Sequence, residues 1–346
     1  MLVVMKADAT DAQVQEVMAV LRSYHTQPEV LPGHSRVAIG VMGNKEAVRQ
    51  DEVLRLPGVM EVIEVTKKYK RVSKEFHPAD TLVRVGDATF GAGRPVVIAG
   101  PCSVESEAQT LATARAVKAQ GGQIFRGGIF KPRTSPYFFQ GIGYVGLQYM
   151  QKAREETGLP LCVEIMSSDD IDLYKDEVDL LQVGARNMQN FDLLKRLGKI
   201  DKPVLLKRGL SATVEEFLLA AEYILDGGNQ QVILCERGVR TFETSTRNLL
   251  DLNSVALIKT LSHLPIVVDP SHAVGRHDLV AALARAAIAV GCDGLLVETH
   301  PTPQKALSDA NQQLDFEEFA NMMRQVNLLV DALPELYAAR TTAYSA

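Results

Sequence analysis

The sequence lacks the features that mark membrane, secreted and nucleic-acid-binding proteins. No apolar run in its 346 residues approaches the roughly 20 residues that a membrane-spanning helix requires, so we predict no contact with a membrane. The apolar stretch after Met1 is shorter than that of a signal peptide and has no cleavage pattern. The formal net charge of −5 implies no overall basic surface, which argues against general nucleic-acid binding.

Cysteine is also scarce. The chain has four cysteines, far apart and in apolar, strand-like stretches, at Cys102, Cys162, Cys235 and Cys292. That spacing is typical of reduced thiols in a cytoplasmic protein rather than of a disulfide framework, and we predict the last three to be core residues. The remaining composition, with 46% hydrophobic and 23% charged residues, is that of a globular protein. The length suits a barrel of typical size plus a small extra domain.

Residues 1–66 have the pattern of a small ferredoxin-like βαββαβ domain. Strands are predicted at 2–5, 37–42 and 59–65. Thr10 and Gln13 have the spacing of a helix capping box, and apolar residues recur at helical spacing over 14–21. The charged and unpatterned stretch at 67–80 is predicted to be a linker.

Residues 81–338 repeat short apolar runs that alternate with helical segments. The runs are predicted to be strands at 96–100, 123–127, 161–165, 180–184, 204–207, 232–235, 266–269 and 294–298. Helices are predicted between them, for example at 105–120 and 214–226. Eight buried strands alternating with helices predict a closed parallel (β/α)8 TIM barrel. The alternative, an open doubly wound sheet, is disfavoured because its Gly-rich first turn is missing.

The chemically informative residues follow the strands, because a barrel of this kind carries its active site at the C-terminal ends of its strands. Seven cationic residues follow four of the strands: Arg126, Lys131, Arg133, Arg186, Lys207, Arg208 and Arg237. The simplest interpretation is that each is a solvated charge on the rim. Their repetition at four strand ends favours a site that holds two anionic groups at once, since guanidinium groups bind phosphate and carboxylate bidentately.

Residue types that bind metals lie at neighbouring strand ends. Cys102, His272 and Glu298 follow the first, seventh and eighth strands, which are neighbours once the barrel closes. Asp309 follows in the loop beyond the eighth strand. One thiolate, one imidazole and two carboxylates suit a borderline divalent ion such as manganese, iron, cobalt or zinc. The alternative is an ordinary role for each residue, with Cys102 in the core, His272 hydrogen-bonded and Asp309 capping a helix.

Two further signals point to other chemistry. The stretch at 141–146 fits the dinucleotide-binding pattern of glycines, but it does not follow a strand, so we predict a chance match at a helix start. Lys131 or Lys207 would suit a Schiff-base aldolase if the surrounding arginines lowered its pKa, although the same crowding suits a phosphate equally well. We predict no function for the histidines His263, His277 and His300.

The strand ends also carry a family resemblance. The matching segments are AGPCSVE at 99–105, RGG at 126–128, KPRTSP at 131–136, GARN at 184–187, LKRG at 206–209, CERG at 235–238, DPSH at 269–272 and SD at 308–309. With these the chain resembles 3-deoxy-D-arabino-heptulosonate-7-phosphate (DAHP) synthases, in the subgroup with an N-terminal ferredoxin-like regulatory domain. The resemblance covers essentially the whole chain and departs at Ala310, where glycine is expected. The similar 3-deoxy-manno-octulosonate-8-phosphate synthases carry a Lys-Ala-Asn-Arg-Ser-type motif in place of KPRT at 131–134.

The resemblance implies the condensation of phosphoenolpyruvate with erythrose 4-phosphate and water, which releases phosphate and begins aromatic amino-acid biosynthesis. It implies that phosphoenolpyruvate binds Arg126, Lys131, Ala185, Arg186, Lys207 and Arg237. The aldehyde substrate and its phosphate would bind Lys131, Pro132, Arg133, Thr134 and Ser135. One divalent metal ion would bind Cys102, His272, Glu298 and Asp309. We also count Asp269 as substrate-binding, and octulosonate synthesis or dual specificity is the alternative activity.

The mechanistic hypothesis has the metal ion polarise the aldehyde as a Lewis acid while C3 of the enolpyruvate attacks it. Water then adds at C2, the C–O bond to phosphate breaks, and the cations stabilise the developing charge. We count Lys131, His272 and Cys102 as catalytic, and Glu164 as a water-orienting group.

The resemblance also implies that the first domain is a feedback domain for tyrosine or phenylalanine. It would pair with the same domain of another subunit in a homotetramer. His34 and Ser35 are the predicted effector contacts, with a plain turn as the alternative. A non-catalytic amino-acid sensor built on a degenerate barrel is a further alternative, although the expected strand-end residues are all present.

Overall fold

The computed structural model describes residues 1–31, 36–43, 47–63, 68–133 and 135–337. The chain forms two compact units, Met1–Pro78 and Ala79–Ala346. In the described part of the chain, no helix combines the length and the apolar character needed to cross a membrane.

The first unit has the predicted βαββαβ order. Its elements are β1 (Leu2–Met5), α1 (Asp11–Ser23), β2 (Thr26–Leu31), β3 (Ala38–Gly43), α2 (Gln50–Leu54) and β4 (Val59–Ile63). The strands form one antiparallel sheet in the order β2-β3-β1-β4. Helix α1 begins at the predicted capping box, in which Thr10 and Gln13 each bond the other's backbone N–H. Val14, Val17 and Leu21 on its inner face are buried in the core of the unit.

The segment at 68–78 packs against the first unit instead of forming a free linker. Phe76 is buried, and its ring lies so close to Gly40 that a Cβ there would be 2.5 Å from it. The Lys70 ammonium donates a hydrogen bond of 2.8 Å to the carbonyl of Val41. This segment has few apolar residues among many charged ones, so the sequence did not predict that it packs on the first unit.

The second unit is a closed barrel of parallel strands with helices between them, as predicted. Its elements are β5 (Val83–Val85), β6 (Ala88–Phe90), β7 (Val96–Gly100), α3 (Glu107–Ala119), β8 (Ile124–Arg126), α4 (Tyr144–Thr157), β9 (Leu161–Ile165), α5 (Ile171–Glu177), β10 (Leu180–Val183), α6 (Phe191–Leu197), β11 (Val204–Lys207), α7 (Val214–Asp226), β12 (Val232–Glu236), α8 (Leu252–Leu261), β13 (Ile266–Val268), α9 (Pro270–Val274), α10 (His277–Ala289), β14 (Gly294–Glu298), α11 (Phe316–Ala332) and α12 (Pro334–Tyr337). Strands β7 to β14 pair in chain order, and β14 closes the barrel on β7.

The predicted barrel strands agree with the observed ones to within one residue at each end. This accuracy has a physical cause. A strand that is buried on both faces reads as a nearly continuous apolar run, so the end of the run marks the end of the strand. All five residues of β7 and all four of β10 are buried, for example. Cys162, Cys235 and Cys292 are buried and free, as predicted.

The sequence did not predict the hairpin β5–β6, whose strands are three residues long and too short to show a period. Val85 pairs with Ala88 across the turn, and Val83 with Phe90. These side chains pack in one cluster with residues from the beginnings of the barrel strands, such as Val96. The hairpin therefore covers the N-terminal end of the barrel and leaves the C-terminal end for the site.

Candidate active site

A cavity of about 170 Å³ lies at the C-terminal ends of the barrel strands. The cationic side chains that line it are Lys131, Arg133, Arg186, Lys207, Arg237 and Arg247. The first five were predicted from the strand ends, and the structure brings all of them to one cavity. The cationic lining suits this cavity to anions, because a buried positive charge is costly without a partner of opposite charge.

Arg237 is a buried cation of this lining with a donor that has no described partner. Its side chain is buried, and its Nη1 has no hydrogen-bond partner among the residues that the structure describes. Burial lowers the pKa of the Arg237 guanidinium, the charge of Asp269 opposes this, and the charges of Arg247 and Arg186 add to the lowering. A buried guanidinium among like charges is stabilised when an anion binds beside it.

Arg208 is one of two predicted cations, with Arg126, that are not among the described residues lining the cavity. It is buried, and its Nη1 donates to Glu236 Oε2 at 2.8 Å and to Asp251 Oδ2 at 2.9 Å. Side chains alternate in direction along a strand, so Arg208 points away from the cavity while the preceding Lys207 points into it. The inference that every strand-end cation converges was wrong for this residue.

Three residues predicted to bind substrate are also absent from the described cavity lining: Arg126, Ser135 and Asp269. Arg126 is buried, and its Nη1 donates to Glu298 Oε1 at 3.0 Å and to the Pro101 carbonyl at 2.6 Å, while its Nε has no described partner. Ser135 is half-buried, and its hydroxyl accepts a bond from the backbone of Tyr137. Thr134 lies outside the described residues. Ala185 and Pro132 do line the cavity.

Asp269 lies behind two residues of the cavity wall. It is fully buried, with its Oδ2 at 2.6 Å from Lys207 Nζ and 2.7 Å from His272 Nδ1. The second contact is short, but its geometry is poor for a hydrogen bond, and Nδ1 has no other partner among the described residues. Burial alone would raise the pKa of the Asp269 carboxyl, but the charges of His272 and Lys207 hold it well below its usual range. Asp269 therefore restrains these two side chains, and its predicted contact with substrate stays a prediction.

The four predicted metal-ligating side chains lie together. One ligand atom from each of Cys102, His272, Glu298 and Asp309 can be chosen so that all lie within 4.8 Å of one another. His272 Nε2 is 3.3 Å from Glu298 Oε1, and Cys102 Sγ is 3.5 Å from Asp309 Oδ2. The pairing of β14 with β7 creates this proximity, because it places the end of the eighth barrel strand beside the end of the first.

Asp309 does not behave as a helix cap. Its backbone has φ of 47° and ψ of 42°, a left-handed conformation, and its carboxylate makes no capping bond to the short helical turn that follows. A non-glycine residue in this conformation is strained, and such strain concentrates at functional sites. The carboxylate instead accepts a bond of 3.2 Å from Arg247 and faces Cys102.

The donor atoms of the four-residue cluster suit a cation. Burial raises the pKa of the Cys102 thiol to about 12, and the nearby Glu298 carboxylate adds to this effect. Burial would also raise the pKa values of Glu298 and Asp309, but the charge on His272 and those of the surrounding arginines lower both. A thiol, an imidazole and two carboxylates at these distances fit a borderline divalent ion, which would offset the concentrated negative charge.

Some residues of the site were missed or only partly anticipated. Arg247 lies in the long loop between β12 and α8, eleven residues beyond the strand end, where no strand-end rule would find it. Glu164, which we predicted to orient water, lines the cavity. Its carboxylate explains Gly184, because a Cβ at that position would lie 2.0 Å from Glu164 Oε1. In the sequence, Gly184 was notable only as part of the family motif at 184–187.

The remaining sequence signals have structural roles. The glycine pattern at 141–146 ends at the start of α4, with Gly143 as the residue before the helix, as predicted for a chance match. The three histidines for which we predicted no function have partners that the sequence did not identify. His263 Nδ1 is 2.7 Å from Thr81 Oγ1, His277 Nδ1 is 2.7 Å from Glu318, and His300 Nδ1 accepts a bond from Thr302.

The chain is similar to known proteins over most of its length. Residues 65–332 match the model of the DAHP synthetase I family, and residues 1–67 match that of the DAHP synthase ferredoxin-like domain. A phospho-2-dehydro-3-deoxyheptonate aldolase of Thermotoga maritima is 48% identical over 96% of this chain and 98% of its own length. A solved structure of a DAHP synthase from that organism has a TM-score of 0.77 at 48% identity, covering 96% of this chain and 97% of that one. A 2-dehydro-3-deoxyphosphooctonate aldolase of Syntrophotalea carbinolica is 34% identical, over 73% of this chain and 97% of its own length. The chain belongs to the DAHP synthetase I family.

Proposed function

We infer that this chain is a DAHP synthase, which condenses phosphoenolpyruvate with erythrose 4-phosphate and water to give DAHP and phosphate. The inference rests on one cavity in a member of this family. Its cationic side chains, here called the cationic wall, adjoin a cluster of four metal-ligating side chains. The wall suits the phosphate and carboxylate of phosphoenolpyruvate. The cluster suits an ion that would bind the aldehyde oxygen.

The enolpyruvate half of the site is assigned to the cations of the wall. Lys131, Arg186, Lys207 and Arg237, with Ala185, would bind the phosphate and carboxylate of phosphoenolpyruvate. Lys207 is held by Asp269 at 2.6 Å, so its ammonium has little freedom and is positioned in advance. These groups would stabilise the charge on the departing phosphate after water adds at C2 and the C–O bond breaks.

The aldehyde half of the site is assigned to the loop that begins at Lys131. The Arg133 guanidinium donates to the Ser308 hydroxyl, and its Nη1 is 3.8 Å from Asp309 Oδ1. Arg133 therefore lies between the cavity and the metal-ligating cluster, where it would bind the phosphorylated aldehyde. Pro132 restricts the backbone of this loop, which favours a preorganised conformation. Thr134 and Ser135 remain proposed contacts of this substrate.

A divalent ion would be held by Cys102, His272, Glu298 and Asp309. When bound, it would supply Lewis-acid polarisation of the aldehyde during attack by C3 of the enolpyruvate. Asp269 orients the His272 ring so that Nε2 faces the cluster. Lys131 Nζ donates to the Cys102 sulfur at 3.1 Å, so its ammonium borders both the cluster and the cavity.

A Schiff-base aldolase is disfavoured by the environment of its lysines. Burial alone would lower the pKa of Lys131, but the Cys102 sulfur and the Glu298 carboxylate raise it above its ordinary value. An ammonium that holds its proton is a poor nucleophile. Lys207 is engaged in an ion pair with the buried carboxylate of Asp269 at 2.6 Å.

We predict that phosphate release will require erythrose 4-phosphate and a divalent ion. The measurement follows phosphate released from phosphoenolpyruvate with erythrose 4-phosphate or arabinose 5-phosphate, each with and without a chelator. Erythrose 4-phosphate should support turnover that the chelator abolishes and that added manganese or cobalt restores. Preference for arabinose 5-phosphate would indicate the octulosonate reaction. Chelator-resistant turnover with trapping by borohydride would indicate a Schiff base, and binding without turnover a sensor.

We also propose that the first unit is a feedback domain for tyrosine or phenylalanine, that the chain forms a homotetramer, and that it acts in the cytoplasm. The predicted effector contacts His34 and Ser35 lie outside the described residues. We predict that deleting residues 1–78 will leave catalysis intact and abolish inhibition by these amino acids. The cut follows Pro78 because the segment at 68–78 packs on the first unit. Steady-state rates with and without each amino acid test this; inhibition that persists would place the effector on the barrel.

A further inference from the structure

A buried glutamine connects the proposed metal ligands to the loop after β12. Gln312 is 2% exposed, and its Nε2 donates to Glu298 Oε2 at 2.6 Å. The same nitrogen is 3.4 Å from Asp309 Oδ2. On the other side, Gln312 Oε1 accepts a bond of 2.8 Å from Arg247. One side-chain amide thus lies between two carboxylates of the cluster and a cation of the cavity wall.

The orientation of this amide is determined by its partners. A guanidinium only donates hydrogen bonds and an ionised carboxylate only accepts them. The oxygen of Gln312 must therefore face Arg247 and its nitrogen must face Glu298. Arg247 also donates to Asp309 at 3.2 Å, which closes a ring of contacts through Gln312, Asp309 and Arg247. The ring constrains the second carboxylate as well as the first.

The next residue anchors the backbone of the same loop. Gln313 is fully buried, its Oε1 accepts a bond of 3.0 Å from the Cys102 N–H, and its Nε2 donates at 2.9 Å to the Ser308 carbonyl. These contacts hold the main chain on both sides of the cluster. The strained conformation of Asp309 is therefore surrounded by fixed neighbours, as a strained residue requires. Gln312 extends its side chain from a backbone that has little freedom to move.

We propose that Gln312 is a positioning residue, which sets the placement of Glu298 and Asp309 for the divalent ion and couples them through Arg247 to the cavity wall. The inference rests on the proposed function, since it concerns the same metal site. A ligating carboxylate with one oxygen held by an amide has a restricted orientation, and partners of this kind have a large effect on metal affinity. His272 has its own positioning residue in Asp269, so the two carboxylates and the imidazole are held independently.

The test measures metal binding rather than turnover alone. Gln312→Met keeps the length of the side chain and removes its contacts with Glu298, Asp309 and Arg247. Gln312→Asn keeps an amide but is too short by one methylene to reach both partners, and it serves if the first variant folds poorly. Gln231→Met is the matched control, because Gln231 donates to the carboxylate of Asp201 at the opposite end of the barrel. The dissociation constant for Co²⁺ is measured by competition with a chromophoric chelator, and the thiolate-to-cobalt absorption band reports on Cys102.

Both Gln312 variants should bind Co²⁺ about 10- to 100-fold more weakly than the unmodified chain, with a shifted absorption band. Their metal-free thermal midpoints should stay close to that of the control, and Gln231→Met should keep unmodified affinity and spectrum. Wild-type affinity and spectrum in both Gln312 variants would overturn the positioning role while leaving the metal site intact. An unmodified chain that binds Co²⁺ without a thiolate band, and equally well after Cys102→Ser, would instead overturn the proposed site itself.

Discussion

Replacing Cys102 with serine is expected to reduce metal-supported turnover by more than about 100-fold, which exceeds the usual effect of removing a residue that only supports a ligand. The thiol is fully buried, and its sulfur lies between Lys131 Nζ, Ser308 Oγ and Asp309. A serine hydroxyl fits the space but is a harder and far less acidic donor than a thiol. It should therefore bind a borderline divalent ion weakly. The measurements are metal content per chain after dialysis and the rate of phosphate release at saturating Mn²⁺.

The matched control for this change is Cys292→Ser. Cys292 is also fully buried and free, but it lies just before β14, at the end of that strand remote from Glu298. Its replacement should leave metal content unchanged, whatever it costs in stability. Full metal-supported turnover in Cys102→Ser would remove this residue from the ligand set. An equal loss in both variants would mean that a buried hydroxyl, and not the lost ligand, caused the defect.

Replacing Arg237 with methionine is expected to raise the KM for phosphoenolpyruvate by about 10- to 150-fold, the equivalent of one charged hydrogen bond worth about 1.5–3 kcal/mol. The guanidinium is buried in the cavity wall with its Nη1 unpartnered among the described residues. An anion that binds there would be stabilised by this group. The same substitution removes a buried positive charge whose Nη1 has no described partner, so the thermal midpoint of the substrate-free chain should not fall. Steady-state kinetics and thermal unfolding measure the two effects.

Two variants make this result specific. Arg237→Lys keeps the positive charge but loses the planar pair of donors, and it should give an intermediate KM. Arg154→Met removes a half-buried arginine that pairs with Asp179 on the outer part of the barrel, at 3.4 Å. It should leave the KM for phosphoenolpyruvate unchanged. A fall in the midpoint of Arg237→Met, together with an unchanged KM, would mean that the residue has a structural role and binds no substrate.

The metal-ligating set illustrates what can be read from a linear chain. Cys102, His272 and Glu298 are up to 196 residues apart, yet each lies at or shortly after the end of an apolar run. Closure of an eight-stranded barrel makes the first and eighth strands neighbours, so order along the chain was enough to predict their proximity. Asp309 was predicted from the loop and the family motif, and its left-handed backbone was not predictable, because strain depends on the fixed contacts around it.

The cationic side chains of the cavity could be predicted only in part. The sequence predicted that cations would gather at the strand ends, because barrel geometry collects those ends on one face. It did not predict that Lys207 would face the cavity while Arg208 faced Glu236, since one residue of register reverses the direction of a side chain. Nor did it predict Arg247, whose loop is positioned by long-range contacts with Asp309 and Gln312.

The sequence by itself therefore determined the barrel, the number and order of its strands, and the chemical types of group at their ends. These properties follow from two regular features. The periodicity of apolar residues is a local feature of the sequence, and the topology of a closed parallel barrel fixes the order of its strands. Only the tertiary structure decided which side chains reach the cavity and which support it from behind. Asp269, Arg126 and Gln312 are not among the described residues of the cavity lining, and they make hydrogen bonds with other side chains. Such contacts depend on packing between distant segments, which no single stretch of sequence encodes.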